Sequence, residues 1–151
     1  MICLQQMRFK KRFPGPFTYQ RGVDGVDETF DTFCVTSGNR LVSTYFWDAV
    51  ELCENISAVV TAALNRQSDW FGFVPQSFEG HWETFRSRYP GPFATGRGCC
   101  PGRGEFIDVY CTTSGESVIH SYGLSSQSKL IANQIVVALN SVLDACAADS
   151  N

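Results

Sequence analysis

Any chemistry in this chain has to come from a short roster of side chains. Two histidines, His81 and His120, are its only imidazoles, and it carries seven cysteines. Nucleophilic catalysis needs a serine, cysteine or threonine beside a base that a third group orients. No G-x-S-x-G elbow, Walker A loop, H-E-x-x-H or complete dinucleotide fingerprint is present to supply such an arrangement. Cys99 and Cys100 are adjacent, with Cys111 and His120 following. That is not the C-x2-4-C spacing of a zinc site, so two thiols at a hairpin tip are expected and no metal. Cys34 and Cys111 fall in apolar, β-branched surroundings, where cysteine acts as a small hydrophobe. No catalytic residue and no cofactor are assigned, and an enzyme is the last of the readings.

The basic residues are more informative. Eight of the twelve fall in two stretches, Arg8, Lys10, Lys11 and Arg12, then Arg86, Arg88, Arg97 and Arg103. Guanidinium groups grip phosphate with a two-pronged fork, and successive backbone N–H groups in a Gly-rich turn form an anion-binding nest. The segment Gly96-Arg97-Gly98-Cys99-Cys100-Pro101-Gly102-Arg103-Gly104 offers both. The competing reading is a solvated hairpin loop. Lys10, Arg12, Arg86 and Arg88 precede two copies of one Pro-Gly-Pro motif, and Arg21 matches Arg97. If the two sets converge they line a cationic cleft; if they diverge they are solubilising charge. The expected ligand-binding residues are thus Lys10, Arg12, Arg21, Arg86, Arg88, Arg97 and Arg103.

These residues recur because the chain is a tandem duplication. Phe13-Pro14-Gly15-Pro16-Phe17 matches Tyr89-Pro90-Gly91-Pro92-Phe93 at four of five positions. Asp31-Thr32-Phe33-Cys34-Val35-Thr36-Ser37-Gly38 matches Asp108-Val109-Tyr110-Cys111-Thr112-Thr113-Ser114-Gly115 at five of eight. Phe9 matches Phe85, Arg21-Gly22 matches Arg97-Gly98, Tyr45 matches Tyr122, and Ala63-Leu64-Asn65 matches Ala138-Leu139-Asn140. The offset stays between 75 and 77 throughout.

Each unit reads as β-β-β-α. Pro-Gly-Pro launches a first strand, Phe17–Gln20 or Phe93–Thr95, because proline fixes φ and glycine takes conformations that other residues avoid. Alternating aromatic and β-branched residues predict second strands at Thr29–Thr36 and Phe106–Thr113. Ser-Gly turns lead to third strands at Arg40–Tyr45 and Ser117–Tyr122. Apolar stripes at helical spacing predict helices from Asp48 to Asn65 and from Ser126 to Ala147, the latter capped by Ser125 or Ser126. The fold class is therefore α+β, with antiparallel sheets, one helix per unit on one face, and a pseudo-two-fold axis. Residues 1–66 form unit one, 67–84 an aromatic-rich connector and 85–151 unit two, all sharing one core. The aromatics Trp70, Phe71, Phe73, Phe78, Trp82 and Phe85 are expected to pack rather than to sit in a free linker. The sheets either join edge to edge or pair with a second copy in a homodimer.

The net charge of −3 excludes a generic polybasic nucleic-acid binder. No apolar run approaches the ~20 residues of a membrane helix, and Met1–Gln6 lacks the apolar stretch of a signal peptide. Seven cysteines without secretory context point to reduced thiols and a cytoplasmic setting.

The order Pro90-Gly91-Pro92-Phe93, then Asp108–Gly115, then Leu130-Ile131-Ala132 through Ala138-Leu139-Asn140 resembles a group of small uncharacterised proteins of phages and bacteria. Copy one carries a looser version, with Ile56-Ser57-Ala58 in place of Ile131-Ala132-Asn133. The resemblance implies a mobile-element setting, in which small proteins that soak up host immune signals are one class. The leading expectation is a non-enzymatic protein that sequesters a small anionic, nucleotide-like ligand, or else a host protein. The alternatives are a nucleic-acid-binding β-β-β-α module, like plant DNA-binding domains whose sheet enters the major groove, and a protein-interaction module built on the aromatic connector. The first alternative is disfavoured because the strands Phe30–Thr36 and Phe106–Thr113 contain no Lys or Arg.

Overall fold

The computed structural model describes residues 4–24, 27–45, 50–68, 78–102 and 104–149. The order is α1 (Leu4–Arg12), β1 (Phe17–Asp24), β2 (Asp27–Cys34), β3 (Arg40–Tyr45), α2 (Val50–Gln67), α3 (Phe78–Arg88), β4 (Phe93–Cys100), β5 (Gly104–Cys111), β6 (Ser117–Tyr122) and α4 (Ser126–Asp149). Two three-stranded antiparallel sheets, β1-β2-β3 and β4-β5-β6, are each followed by a helix, as the duplicated unit requires. The registers correspond strand for strand. Thr29 faces Tyr45 as Phe106 faces Tyr122, and each third strand carries one bulged residue, Leu41 or Val118.

Each unit has one more element than the strand and helix patterns indicate. A short helix precedes each Pro-Gly-Pro, so the repeat is α-β-β-β-α. Phe9 and Phe13, and Trp82, Phe85 and Tyr89, recur at helical spacing, and all five are buried. The second half of the expected connector is therefore helix, and Trp82 and Phe85 lie in the core. Trp70, Phe71 and Phe73 lie outside the described residues.

These short helices interlock the copies. α1 of the first copy packs on α4 of the second, α3 of the second packs on α2 of the first, and α2 and α4 pack on each other. One apolar cluster accordingly spans both copies, from Phe9, Phe13 and Phe17 to Phe85, Tyr89 and Phe93. The aromatic stacks are near copies of one another. Phe9–Phe13 centroids are 5.2 Å apart and Phe85–Tyr89 centroids 5.0 Å.

An asparagine, buried in the first copy and half-buried in the second, closes each sheet edge onto its helix. The Asn65 carboxamide accepts from the Phe17 N–H at 2.6 Å and donates to the Phe17 carbonyl at 2.9 Å. Asn140 does the same to Phe93 at 2.8 and 3.1 Å. The side-chain amide thus replaces the peptide of a missing neighbouring strand, satisfying groups whose burial would otherwise be costly. The start of α4 is capped by Ser125, whose hydroxyl accepts the Ser128 N–H at 3.1 Å.

The first strands are longer than expected, reaching Asp24 and Cys100. Gly96 and Gly98 sit inside β4 because aromatic rings of β5 lie across them. A Cβ on Gly98 would overlap the Phe106 ring, and one on Gly96 would stand 3.3 Å from the Tyr110 ring. Gly22, the counterpart of Gly98, makes room for the Asp31 carboxylate instead. Residues Gly96–Cys100 therefore belong to the ladder with β5, from Gly96↔Asp108 to Cys100↔Gly104. An extended strand points successive N–H groups to opposite sides, so the Gly-rich anion nest is not formed there.

Candidate functional site

Among the described residues the expected cations do not share one cleft. Arg21 on β1 lies 3.5 Å from Glu28 across the hairpin, and both are well exposed. Arg97 on β4 and Arg86 on α3 are exposed, and Lys10 is half-buried on α1. Arg88 pairs with Glu116 at 3.2 Å and lies over the Tyr89 ring. Arg12 and Arg88 are two-fold mates yet line different clefts. Arg103 lies outside the described residues.

What the structure does gather is a set of cations between α1 and the start of α4. Arg8, Lys11, Arg12 and Lys129 line an open groove of about 650 Å3, with Gln127 and Asn133 as polar neighbours. No carboxylate is among its described lining residues. Among the described residues none of the four cations forms an ion pair. The first turn of α4, a helix of 24 residues, contributes its partial positive charge to the same groove.

The two-fold image of this groove is different. At the repeat offsets Arg8, Lys11 and Lys129 are replaced by Thr84, Ser87 and Glu54, and Ser126 by Glu51. In that copy α3 is tied to α2, with Asn55 donating to the His81 carbonyl at 2.6 Å. The fold is thus built once without these cations and once with them, so they are not a requirement of packing. Of the groove's basic residues, sequence inspection selected Arg12 and passed over Arg8, Lys11 and Lys129. Arg8 and Lys11 stand in the same basic run, but Lys129 lies 117 positions from Arg12 and only the α1–α4 contact brings it in.

A serine, histidine and aspartate also meet, on the second sheet. Ser117 Oγ bonds to Asp108 Oδ1 and stands 2.9 Å from His120 Nε2, which lies 3.6 Å from the same carboxylate oxygen. In a nucleophilic relay the base takes the hydroxyl proton on one ring nitrogen while the carboxylate holds the other. Here hydroxyl and carboxylate both meet Nε2, so that relay is not assembled. Burial, the larger effect, lowers the proton affinity of His120, while Asp108 partly offsets it. The imidazole also stacks on Phe106 with centroids 3.7 Å apart. Copy one shows the structural root of the cluster. There Asp31, the counterpart of Asp108, accepts from Thr29 and Ser43 hydroxyls at 2.8 and 2.6 Å. A hydroxyl-gripped aspartate on the middle strand is a feature of both copies.

Cys34 and Cys111 are fully buried and occupy equivalent places. Gly91 N–H donates to Cys111 Sγ at 3.2 Å, and Thr113 Oγ1 lies 3.3 Å from that sulfur while donating to the Gly91 carbonyl at 2.6 Å. Thr36 repeats this with Gly15 and Cys34. The cysteine and threonine together hold the Pro-Gly-Pro turn against the end of the second strand. Burial pushes the Cys111 thiol pKa up, but hydrogen bonds from the Ser114 and Thr113 side chains and the Ser114 and Gly91 backbone outweigh it and bring it to about 7. The same balance lowers Cys34. An unfolded thiol near the ordinary 9.0 holds its proton to higher pH than the folded one. The folded state is therefore favoured as pH rises from about 7 to 9, and this contribution is lost as pH falls through about 7. In urea titrations the wild type is expected to gain of order 2 kcal/mol over Cys111→Ala across that window. Parallel pH profiles for the two proteins would show that the folded thiol does not ionise there.

Among the described residues no three of the histidine, cysteine, aspartate and glutamate side chains gather as a metal site. Cys99 and Cys100 are adjacent on β4, where consecutive side chains point to opposite faces. No helix is long and apolar enough to cross a membrane among the described residues. Comparison with protein-family models, with curated proteins and with solved structures returns no match in any of the three.

Proposed function

We propose that the protein is a non-catalytic binding protein that takes a small phosphate-bearing anion, of the size of a nucleotide, in the groove between α1 and the start of α4. The reading rests on one observation: Arg8, Lys11, Arg12 and Lys129 line a single groove, with no carboxylate among its described lining residues, in a protein of net charge −3. Their two-fold counterparts are Thr84, Ser87, Arg88 and Glu54, so three of the four positive charges are found on one side only. Two guanidinium forks and two ammonium groups suit the several oxygens of a di- or triphosphate. The groove is open, so the attraction is screened by salt beyond about 8 Å at physiological ionic strength. No hydroxyl or thiol nucleophile with an oriented base lies among its described lining residues.

Calorimetric titration with nucleoside mono-, di- and triphosphates and with inorganic triphosphate tests the reading. Affinity is expected to rise with phosphate count and to fall with salt. Arg12→Ala with Lys129→Ala is expected to lower it by about tenfold or more without changing the melting temperature, since neither side chain is in the core. Arg97→Ala, on a remote strand, is expected to leave it unchanged. Wild-type protein that binds none of these phosphates at low salt removes the proposal.

A further inference from the structure

The seam between the two sheets holds a second pair of cavities. β3 and β6 lie against each other, yet among the described residues no ladder of backbone hydrogen bonds joins them. Each carries its bulge, Leu41 or Val118, on this side of its sheet. Bulges twist an edge strand and disrupt regular pairing. The seam instead opens into two chambers that meet at Ser43 and His120, which line both.

The chambers are images of each other under the pseudo-two-fold. The larger, about 640 Å3, is walled by Arg40, Val42, Ser121, Gln127, Ser128 and Ile131. The smaller, about 270 Å3, has at the matching places Ser117, Ile119, Thr44, Leu52, Cys53 and Ile56. The copies have diverged in opposite senses. Gln127 and Ser128 make the first chamber polar where Leu52 and Cys53 make the second apolar, and Arg40 stands where the second has Ser117.

One hydroxyl in the larger chamber has been left over by this divergence. In copy one Thr44 Oγ1 lies 3.0 Å from Ser57 Oγ. In copy two Ser121 replaces Thr44, but Ala132 replaces Ser57. Ser121 is only 5% exposed, lines the larger chamber, and its hydroxyl forms no hydrogen bond among the described residues. Water in the chamber reaches this hydroxyl, and a ligand that entered could take its hydrogen bond instead. Arg40 is the neighbouring charge. It is half-exposed and stands 4.0 Å from Asp31, too far for the tight fork geometry that arginine makes with a carboxylate.

We propose that this seam binds a compact amphipathic carboxylate, with a phenyl ring or short branched acyl end in the smaller chamber and its carboxylate between Arg40 and Ser121 in the larger. The two chambers together are of the size that encloses small organic ligands, and such sites favour interfaces between structural units. His120, whose burial favours the neutral imidazole, separates the two ends, and Arg88, which lines the smaller chamber, is paired with Glu116. This site shares Gln127 with the α1–α4 groove but none of that groove's four cations, and it does not depend on the phosphate reading.

Titration of the full chain with 3-phenylpropionate and with 3-phenylpropan-1-ol, followed by amide chemical shifts in NMR, tests the assignment. The carboxylate is expected to bind about tenfold tighter than the alcohol, with shifts centred on Ser43, His120 and Ser121. Arg40→Ala is expected to erase that preference, and Ser121→Ala to weaken the carboxylate several-fold. Leu52→Trp, which fills the smaller chamber, is expected to weaken both compounds. Arg40 is exposed and Ser121 loses no bond, so these two variants keep the test sound if Leu52→Trp does not fold. Lys129→Ala is expected to leave both titrations untouched, so this site and the phosphate groove fail independently. Absence of binding to wild type at millimolar concentration overturns the proposal, as does binding that Arg40→Ala and Ser121→Ala leave unchanged.

Discussion

Phe85→Ala is expected to lower the stability of the entire protein by about 4 kcal/mol, with the chain still unfolding in one transition. The ring is fully buried, stacks with Trp82 at 6.0 Å and packs at a tilt against Tyr89 at 5.0 Å and Phe93 at 5.8 Å. Truncation removes the transfer energy of a large aromatic and leaves a cavity that rigid neighbours cannot close. The location of the loss is the informative part. Phe85 belongs to the second copy, but its helix α3 packs on α2 of the first. A defect there loosens both copies together. Phe9→Ala, its two-fold mate on α1, is expected to behave alike, because α1 packs on α4 in the same crossed manner. Urea unfolding read by tryptophan fluorescence and by far-ultraviolet circular dichroism decides the matter. Coincident, shifted curves are the expected result. Two separated transitions, one near the wild-type midpoint, would mean that the copies fold as independent units.

Asn65→Ala is expected to cost about 3 kcal/mol, and Asn140→Ala less. Asn65 is fully buried, and its truncation orphans both the N–H and the carbonyl of Phe17, which is itself fully buried. Asn140 is half-buried, so water can reach part of what its loss exposes at Phe93. Asn65→Asp separates the hydrogen-bonding account from a packing account. Aspartate fills nearly the same volume and can accept from Phe17 N–H, but it cannot donate to the Phe17 carbonyl and it brings a buried charge. Thermal or urea unfolding should therefore place Asn65→Asp at or below Asn65→Ala. An aspartate variant as stable as wild type would show that the carboxamide does not hold the strand edge.

Much of the architecture is legible from residue order. The matched Pro-Gly-Pro, Ser-Gly and Ala-Leu-Asn motifs record a duplication, and alternation and helical stripes place six strands and two long helices where they lie. These signals are strong because they are local. The sheet pairing of each copy follows from short turns, and the buried stripes of α2 and α4 follow from composition. The two short helices were harder to see. In α1, Lys10, Lys11 and Arg12 mask an apolar face reduced to Phe9, and Gly80 weakens the helical signal of α3. The glycines of β4 were misleading for a related reason. Gly96 and Gly98 read as a loop because glycine marks turns, whereas here each makes room for an aromatic ring of the neighbouring strand.

The candidate sites divide in the same way. The amino-acid sequence by itself determined that there are two homologous halves, that they share an interior, and that basic residues accompany each Pro-Gly-Pro. Which of those residues face one another was decided only by the tertiary structure. Arg12 meets Lys129 because α1 crosses onto the helix of the other copy, and Arg88 is drawn toward Glu116 because copy two carries an acid where copy one has Asn39. The paired chambers at Ser43 and His120 exist because two bulged edge strands meet without joining. Local pattern is set by the period of the backbone, which each segment carries within itself. Convergence of side chains is set by how helices of one copy dock on the other, and that depends on the volumes of residues far apart in the chain.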